Sequence, residues 1–236
     1  MSIFTHSQNL LKTDFFDRFV DYHSHILPCV DDGLKSMSEA LETLSYYEKL
    51  GINKVVLTPH INKQCPHNDL HKKQFADLLQ TYKGTIKLHL AAEYMLDAGF
   101  EEQMNKGLRY VSDQRVLVET SFTAAPNNLY ELLYKIALKG DIPLIAHPER
   151  YLYMNKHDYF NLKAKGYEFQ LNLLSLSGIY GKDVKHNAIF LLKNNMYNYI
   201  GTDIHSLEKF KKVMENMQIT KKLLNLINVI RHETNL

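Results

Sequence analysis

GDIPLIAHPE, residues 140–149, contains the pattern that decides the fold: a glycine, a polar residue, an apolar run and a histidine. A similar order occurs in GINKVVLTPH (51–60), GTIKLHLAAE (84–93) and GYEFQLNLLS (166–175). A glycine in this place is typical of a helix C-cap in the left-handed conformation, and the apolar run after it is typical of a buried strand. The sequence therefore predicts four helices that end at a glycine, each followed by a strand.

Three further segments raise the number of predicted strands to seven: FVDYHSH (19–25), RVLVETS (115–121) and YNYIGTDIH (197–205). The segment 36–50 is the clearest amphipathic helix, with Ser36 or Ser38 as its N-cap. Strands that alternate with helices pair in parallel through crossover connections. No glycine-rich phosphate loop follows the first strand, so an α/β barrel is favoured over a nucleotide-binding open sheet. The apolar spacing in 219–232 predicts a final helix that docks on this barrel.

Amino-acid composition limits the binding partners and the cellular compartment that we expect for the protein. Lys and Arg number 28 against 26 Asp and Glu, and a net charge of +2 predicts neither nucleic acid nor an anionic membrane as partner. The N-terminal MSIFTHSQNLLKTDFFDRF lacks a continuous apolar stretch, so we expect no signal peptide and no membrane insertion. Two cysteines, Cys29 and Cys65, are too few for a disulfide framework. These features predict a cytoplasmic protein, and its one unusual count is twelve histidines.

Histidines and carboxylates gather where the predicted strands end. Period-two alternation would place Asp21, His23 and His25 on one side of the first strand. The carboxyl ends of parallel barrel strands meet at one face, so the strand-end residues are expected to form a single site. At the ends of the other strands stand His60, Glu93, Glu119, His147, Asp203 and His205.

So many ionisable groups in one place favour a metal site, because burying them without a partner would be costly. Imidazole and carboxylate ligands without thiolate suit Zn, Mn or Fe, and such ions support hydrolysis. His89, in the middle of a predicted strand, is a weaker candidate on the side of Glu93. The remaining histidines lie in polar or helical contexts and are expected to be solvated: His6, His67, His71, His157, His186 and His232.

A thiol mechanism finds no support in the sequence. A cysteine that attacks a phosphate ester needs an arginine six positions later in the chain, so that one loop presents both thiolate and guanidinium. The sixth residue after Cys29 is Lys35, and the sixth after Cys65 is His71. Both cysteines are therefore expected to be ordinary loop or core residues.

Six motifs, in this order, resemble the PHP (polymerase and histidinol phosphatase) superfamily. They are HSH at 23–25, VDDG at 30–33, TPH at 58–60, the glutamate of AAEY at 91–94, AHPER at 146–150 and TDIH at 202–205. The chain looks most like the bacterial manganese-dependent tyrosine phosphatases associated with capsule and exopolysaccharide synthesis. The resemblance runs from about Asp21 to His205.

The resemblance implies a distorted (β/α)7 TIM-like barrel in a single PHP-type domain, residues 1–236, with 1–18 as an N-terminal extension and 206–236 as C-terminal helices. It also implies three metal ions, with Mn expected and Fe or Zn as alternatives. The implied ligands are His23, His25, Glu93 and Asp203 for the first ion, Glu93 as a bridge with Glu119 and His147 for the second, and Asp32, His60 and His205 for the third.

Other residues take implied roles around these ligands. Asp32 and Glu119 stand where other PHP phosphatases commonly have histidine, which favours the capsule-type group. Asp21 would orient a ligand, and Asp31 would shape the loop ahead of Gly33.

Arg150 and Glu93 are the residues expected to act in catalysis. A guanidinium matches phosphoryl oxygens in a bidentate way, so Arg150 is expected at the phosphate. The family often has an Arg-Pro pair soon after the TDIH motif, whereas this chain has SLEKFKK at 206–212. A second phosphate-binding arginine is therefore missing or replaced by Lys209, Lys211 or Lys212.

The resemblance implies hydrolysis of phosphotyrosine, with the tail of a bacterial tyrosine autokinase as the expected protein partner. Two alternatives stay open: a PHP phosphoesterase acting on a small metabolite such as histidinol phosphate, and a non-catalytic regulatory module. Monomers and oligomers both occur in the family, and the sequence reveals no interface.

Overall fold

Parallel strands alternate with helices along most of the chain in the computed structural model, which describes residues 7–63 and 68–234. The strands are β1 (Ser7–Asn9), β2 (Val20–Ser24), β3 (Lys54–Leu57), β4 (His60–Ile61), β5 (Lys87–Leu90), β6 (Glu93–Met95), β7 (Arg115–Glu119), β8 (Ile142–Ala146), β9 (Glu168–Asn172), β10 (Tyr199–Gly201) and β11 (Gln218–Thr220). The helices are α1 (Met37–Leu50), α2 (Asn68–Thr81), α3 (Phe100–Lys106), α4 (Leu129–Leu138), α5 (Lys156–Ala164), α6 (Lys182–Lys193), α7 (Leu207–Asn216) and α8 (Lys221–Thr234). The predicted α/β class is confirmed.

The parallel strands form a curled sheet in two parts. One part has the order β10-β9-β8-β7-β6-β4, and the other has the order β2-β3-β5. The predicted strand within 51–60 is split between Leu57 and His60, and the one within 84–93 is split between Leu90 and Glu93. After each split the chain pairs with a different neighbour, so β3 lies between β2 and β5 while β4 pairs with β6. These two breaks bend the sheet into a half-barrel.

Backbone hydrogen bonds join the beginning of this sheet to its end. The amide of Asp203 donates to the carbonyl of His23 over 2.8 Å, and the amide of His25 donates to the carbonyl of Ile204 over 3.1 Å. Residues 23–25, at the end of β2, therefore lie directly beside residues 203–205, which follow β10.

Helix ends follow the predicted cap chemistry with one exception. The side chain of Ser36, rather than Ser38, caps α1, and Gly51 ends it in the left-handed conformation at φ 93°. Gly140 and Gly166 also have positive φ. The prediction is wrong for Gly84, which does not have positive φ. A Cβ at Gly84 would stand 2.2 Å from Glu48 Oε1. This glycine instead allows the Glu48 side chain to approach the backbone closely.

The two faces of the curled sheet differ in what they pack against. Val116 and Val118 of β7 join the large apolar cluster that includes the helices. Leu117, between them, joins a smaller apolar cluster on the inner face with Leu144 and Tyr199. Since alternate side chains of a strand share a face, Glu119 follows Leu117 to the inner side. The inner apolar cluster therefore lies beneath the strand-end polar groups.

The segments outside the parallel sheet pack on one another. β1 pairs with β11 in antiparallel fashion, and the Asn9 amide donates to the carbonyls of Met214 and Glu215. α8 covers the predicted helical segment 219–232. Within the described ranges 7–63 and 68–234, no helix combines the length and hydropathy needed to cross a bilayer.

Candidate metal centre

Four side chains converge where the parallel strands end, and we name them the inner cluster: His23, His25, Glu93 and Asp203. His23 Nε2 lies 3.1 Å from both His25 Nε2 and Glu93 Oε2. His25 Nε2 lies 3.3 Å from Glu93 Oε2, and Asp203 Oδ1 lies 3.4 Å from each of the two Nε2 atoms. All four residues are buried. The strand ends thus bring together groups that are 70 and 180 positions apart in the chain.

Hydrogen bonds at Nδ1 of His23 and His25 determine which form of Nε2 faces the inner cluster. His23 Nδ1 contacts Gln170 Oε1 at 2.9 Å, and Gln170 Nε2 donates to the Leu171 carbonyl, which fixes the amide orientation. His25 Nδ1 contacts Asp31 Oδ2 at 2.8 Å. Each Nδ1 therefore faces an acceptor and carries the proton, and each Nε2 directs its lone pair inward when the ring is neutral.

Asp203 is fixed in the same way by groups outside the inner cluster. Its Oδ2 accepts from Asn172 Nδ2 over 2.7 Å and from Arg150 over 2.9 Å, which leaves Oδ1 toward the imidazoles. Its backbone has a φ of 53°, and that of His147 has a φ of 33°. Non-glycine residues rarely adopt this region, and such strain concentrates at functional sites.

Glu119 and His147 both lie close to Glu93, but they belong to different groups of possible ligand atoms. His147 Nε2 lies 3.0 Å from Glu93 Oε1, whereas Glu119 Oε1 lies 2.9 Å from His60 Nδ1. His60 Nδ1 is also 3.1 Å from Glu93 Oε2. The structure therefore groups Glu119 with His60 and Glu93, and groups His147 with His23 and Glu93. This differs from the implied set in which Glu119 and His147 share an ion.

Asp32, His60 and His205 form a second concentration of ligand atoms, which we name the outer group. Asp32 Oδ1 lies 3.4 Å from Nε2 of His60 and 3.4 Å from Nε2 of His205. The Asp32 side chain is 72% exposed, while those of His205 and His60 are 31% and 21% exposed. His25 lies close enough to join this set. The outer group thus stands at the solvent side of the inner cluster.

The carboxylates of Glu93, Asp31 and Asp32 have lowered pKa values and stay charged, and that of Glu93 does so although it is buried. Burial opposes ionisation of Glu93, but the positive charge of His23 and His60 and the bond from His147 hold its pKa well below the ordinary value. Burial likewise opposes ionisation of Asp31, and the hydrogen bond and charge of His25 outweigh it, so that its pKa is about 2. Hydrogen bonds from His205 and His60 lower the pKa of Asp32. The site is therefore strongly attractive to cations.

The pKa values of His23 and His25 shift in the opposite direction, above the ordinary value. Burial disfavours the imidazolium form of His23, yet the charges of Glu93 and Asp203 raise its pKa above the ordinary value. Burial and the charge of His60 oppose protonation of His25, and hydrogen bonds to Asp203, Asp31 and Glu93 still raise its pKa. In the absence of another cation, the site attracts protons.

The donor set fits metal ions. Metal–ligand distances of about 2.0–2.2 Å place neighbouring ligand atoms about 3.0–3.6 Å apart, and the separations within the inner cluster are 3.1–3.4 Å. Glu93 Oε2 and His60 Nδ1 are buried and make no hydrogen bond. Buried polar atoms without hydrogen bonds are costly, and a cation would satisfy both.

Arg150 lies at the edge of the inner cluster, in a short 3-10 helix (Pro148–Arg150) after β8. Its guanidinium donates to Asp203 Oδ2 over 2.9 Å. The same group stacks between two aromatic rings, 4.1 Å from the centroid of Phe122 and 4.4 Å from that of Tyr180. The ion pair is mostly buried and belongs to the site, unlike a solvated surface pair.

The three lysines proposed to replace a second arginine lie on α7. Lys211 pairs with Glu42 over 3.3 Å and lies 5.0 Å from the centroid of the Tyr46 ring. Lys209 and Lys212 are exposed. The contacts of Lys211 direct it to α1 and make it a weak candidate for the phosphate.

Several expectations about single residues are wrong. Asp21 does not join His23 and His25 in the groups that could hold a metal. Its carboxylate instead binds the amide and hydroxyl of Thr202 and the hydroxyl of Tyr47, and burial raises its pKa to about 6 despite the bonds from Thr202 and His23. It positions the backbone next to Asp203 and contacts no imidazole ring.

His71 is buried rather than solvated, and its Nδ1 contacts the Arg109 guanidinium at 2.9 Å. His89 Nε2 contacts the Tyr110 carbonyl at 2.7 Å and lies outside the groups that could hold a metal. His157 and His186 are exposed as expected. His6, His67, Cys65 and the side chain of His232 lie outside the described residues.

Sequence reasoning missed three contacts that fix the candidate ligands. Gln170 and Asn172 orient His23 and Asp203, and both lie in β9, whose end carries no ligand. Asp31 shapes the loop through the Gly33 amide, as expected, and in addition orients His25. The alternation of β9, with Gln170 and Asn172 between apolar residues, was the available signal.

The fold and the donor set define a class: an α/β protein with a candidate multi-metal centre at the carboxyl ends of its parallel strands. A family model described as capsular polysaccharide synthesis, CpsB/CapC, matches residues 19–226. The chain belongs to this family, which confirms the resemblance to the capsule-type group.

Three comparisons illustrate the relationship. The tyrosine-protein phosphatase YwqE of Bacillus subtilis is 31% identical over 198 residues, which are 80% of this chain and 78% of that protein. The tyrosine-protein phosphatase CpsB of Streptococcus pneumoniae is 28% identical over 211 residues, 83% of this chain and 86% of that protein. A chain from the crystal structures of YwqE and CpsB, described as unique metal-dependent tyrosine phosphatases, superimposes with a TM-score of 0.70 at 24% identity, covering 91% of this chain and 94% of that one. This last likeness shows a shared fold.

Proposed function

We propose that this protein is a metal-dependent protein-tyrosine phosphatase, a phosphoric monoester hydrolase. The observation that carries the proposal is the inner cluster, in which two imidazole lone pairs and two carboxylates face one another with no hydrogen-bond donor among them when the rings are neutral. Only a cation can occupy such a set favourably. Membership of the CpsB/CapC family and the names of the relatives supply the reaction.

A finer description of the fold belongs to the same proposal. Counting β3 with β4 and β5 with β6 as interrupted strands gives seven parallel strands, and the bonds between residues 23–25 and 203–204 join the first to the last. We propose that they form a distorted (β/α)7 TIM-like barrel of the PHP type, in one domain over residues 1–236.

The proposed centre holds three ions, with manganese expected and iron or zinc as alternatives. The inner cluster would hold one, the outer group would hold another, and Glu93 would share a further ion with Glu119 and His147. The distances support the first two sets more directly than the third, since Glu119 contacts His60. Ions bound there would supply Lewis acidity, which activates water and offsets the negative charge of the phosphoryl group.

The chain's own residues would then bind and orient the ester. Arg150 has guanidinium hydrogens left beyond its bond to Asp203, and a guanidinium suits two phosphoryl oxygens at once. Asp203, Phe122 and Tyr180 hold that guanidinium in place. Glu93, shared between the inner cluster and His147, would fix the spacing of the bound ions. Tyrosine leaves as a phenolate with a pKa of about 10, so no strong general acid is required.

The proposed partner is a phosphotyrosine protein in the cytoplasm, the tail of a bacterial tyrosine kinase that controls capsule or exopolysaccharide synthesis. The near-zero net charge agrees with recognition by a concentrated local site rather than by a basic surface.

Elemental analysis combined with a phosphatase assay tests the proposal. The purified chain, stripped with a chelator and reloaded with Mn, Fe or Zn, should regain activity on a phosphotyrosyl peptide and contain up to three ions. Exchange of Arg150 for lysine should raise KM for the peptide.

Two results would contradict the proposal. Faster turnover of histidinol phosphate than of the peptide would identify a small-metabolite phosphoesterase. A chain that binds no metal and hydrolyses neither substrate would be a non-catalytic module.

A further inference from the structure

We propose that Phe122 makes the site selective for aryl phosphate esters, by providing the apolar surface on which the phenyl ring of the substrate packs. This inference rests on the proposed phosphatase function and goes beyond it, because it names a residue that distinguishes phosphotyrosine from alkyl phosphates. Nothing in the sequence motifs marks Phe122.

Phe122 is exposed although it lies against the site. The residue is 45% exposed, which is unusual for a large apolar side chain. At the same time its ring centroid lies 5.6 Å from that of His147 and 4.1 Å from the guanidinium carbon of Arg150. An apolar surface is therefore presented to solvent at the place where a bound phosphate ester would leave the site.

The loop that carries Phe122 is held firmly at its start. The Tyr151 hydroxyl accepts from the amide of Thr120 over 3.1 Å, and the Tyr153 hydroxyl contacts Thr120 Oγ1 at 2.5 Å. The Tyr151 ring also stacks on Phe122 with centroids 5.9 Å apart. The exposed ring is thus fixed by its neighbours before any ligand arrives, which lowers the entropic cost of binding against it.

The distances suit an aromatic ester. A phosphoryl oxygen bound to Arg150 lies about 2.8 Å from the guanidinium, and in an aryl ester the ring begins one bond beyond the ester oxygen. The guanidinium carbon is 4.1 Å from the Phe122 centroid. An aryl ring attached to that phosphate can therefore reach the Phe122 ring at the separation of about 4.5–7 Å between centroids in which aromatic pairs are favourable. Phosphoserine has only a methylene group at that point.

The test compares the chain with Phe122→Ala, Phe122→Leu and Phe122→Tyr. The matched control is Phe160→Ala, because Phe160 is also an exposed phenylalanine, at 49%, and lies on α5 beside Phe190. For each variant, kcat/KM is measured with a phosphotyrosyl peptide and with the phosphoseryl peptide of the same sequence. Binding of phenylphosphonate, methylphosphonate and inorganic phosphate to the manganese-loaded protein is measured by calorimetry.

We expect Phe122→Ala to lower kcat/KM for the phosphotyrosyl peptide and affinity for phenylphosphonate by roughly tenfold. Methylphosphonate and inorganic phosphate should bind within twofold of the parent affinity, because Asp203 and Tyr180 still hold the Arg150 guanidinium. Phe122→Leu should lose part of the selectivity, Phe122→Tyr should keep it, and Phe160→Ala should change nothing.

Two results would overturn the inference: equal losses for phenyl and methyl ligands, which would make Phe122 only a support for Arg150, or no loss for either. Failure of the proposed function is distinguishable, because the parent protein would then hydrolyse no phosphotyrosyl peptide in any metal.

Discussion

The inner cluster and the outer group contain the same kinds of ligand, but they differ in how their side chains are held. Gln170 and Asp31 fix the rings of His23 and His25, and Asn172 and Arg150 fix the carboxylate of Asp203. Asp32, in the outer group, is 72% exposed at its side chain and contacts the two histidines at 3.4 Å.

This difference implies two modes of ion binding. A buried set with oriented lone pairs requires little rearrangement when an ion arrives, whereas an exposed carboxylate has to give up solvent and rotamer freedom. The inner cluster should therefore bind its ion tightly, and the outer group should exchange its ion readily. The following predictions test this contrast.

The largest effect is expected at Glu93, which contacts both histidines of the inner cluster and also His147. Glu93→Gln removes the charge while keeping the shape, so the inner ion should be lost and kcat should fall by roughly a thousandfold or more. Metal content by elemental analysis and kcat on a phosphotyrosyl peptide measure this. Glu102→Gln, at an exposed position on α3, is the matched control and should match the parent.

Gln170→Leu should produce the next largest effect, although Gln170 is not a proposed ligand. Loss of the acceptor for His23 Nδ1 frees the ring and its tautomer, and second-layer changes of this kind cost about 10–100-fold in metal affinity. Competitive titration with a chelator gives the affinity, with Gln80→Leu on α2 as control. An unchanged affinity would show that the inner cluster is not oriented by this amide.

Substitutions of two adjacent aspartates should distinguish ion binding at the inner cluster from ion binding at the outer group. Asp32→Ala should weaken the outer ion by about tenfold and spare the inner one, since the Asp32 carboxylate is largely screened by solvent. Asp31→Ala should weaken the inner ion, because Asp31 orients His25. The number of tightly held ions, counted after dialysis, measures both. If both variants lost the same ion, the distinction between the regions would be wrong.

The last prediction concerns the dependence of metal affinity on pH. Since the pKa values of His23 and His25 are raised above 6.5, the metal-free inner cluster retains protons as the pH rises past 6.5. An arriving ion has to displace them, so affinity should increase with pH over that interval, by up to about tenfold per unit for each proton displaced. Calorimetry in two buffers of different ionisation heat counts the protons. Asp32→Ala should retain this dependence.

The same protons affect the stability of the metal-free protein. A folded-state pKa above the unfolded value contributes stability that is fully present below pH 6.5 and is lost as the pH rises through the raised pKa values. Loading with metal should remove this loss, because the ion takes the place of the protons.

The sequence was sufficient to predict that the histidines and carboxylates at the strand ends converge, because their positions follow from topology. HSH, TPH and AHPE each come directly after an apolar run, and parallel strands bring their carboxyl ends to one edge. Predictions from the period-two alternation of side chains failed where the backbone departs from a regular strand. The pairing register of β2 shifts between Asp21 and Ser24, and the Asp21 carboxylate binds Thr202. The breaks before His60 and Glu93 divide two predicted strands.

Residues that act through other residues could not be predicted. Gln170 and Asn172 are ordinary polar residues of β9, and only the three-dimensional contact with His23 and Asp203 gives them a role. The same holds for His71, whose helical context suggests solvent but whose ring lies against Arg109. The pairing of β1 with β11 links short segments at the two ends of the described chain, and neither has a strong strand signal of its own.

The bond between Asp21 and Thr202 joins residues that are 181 positions apart, and this separation matters during synthesis. At roughly 5–20 residues per second, a ribosome needs about 10–40 s to progress from the first residue to the second. Until then β2 lacks its hydrogen-bonded neighbour, the segment that follows β10, and His23 and His25 lack Asp203. The nascent chain therefore emerges with His23 and His25 still without Asp203, and the proposed tight capture of metal has to wait for nearly the last strand.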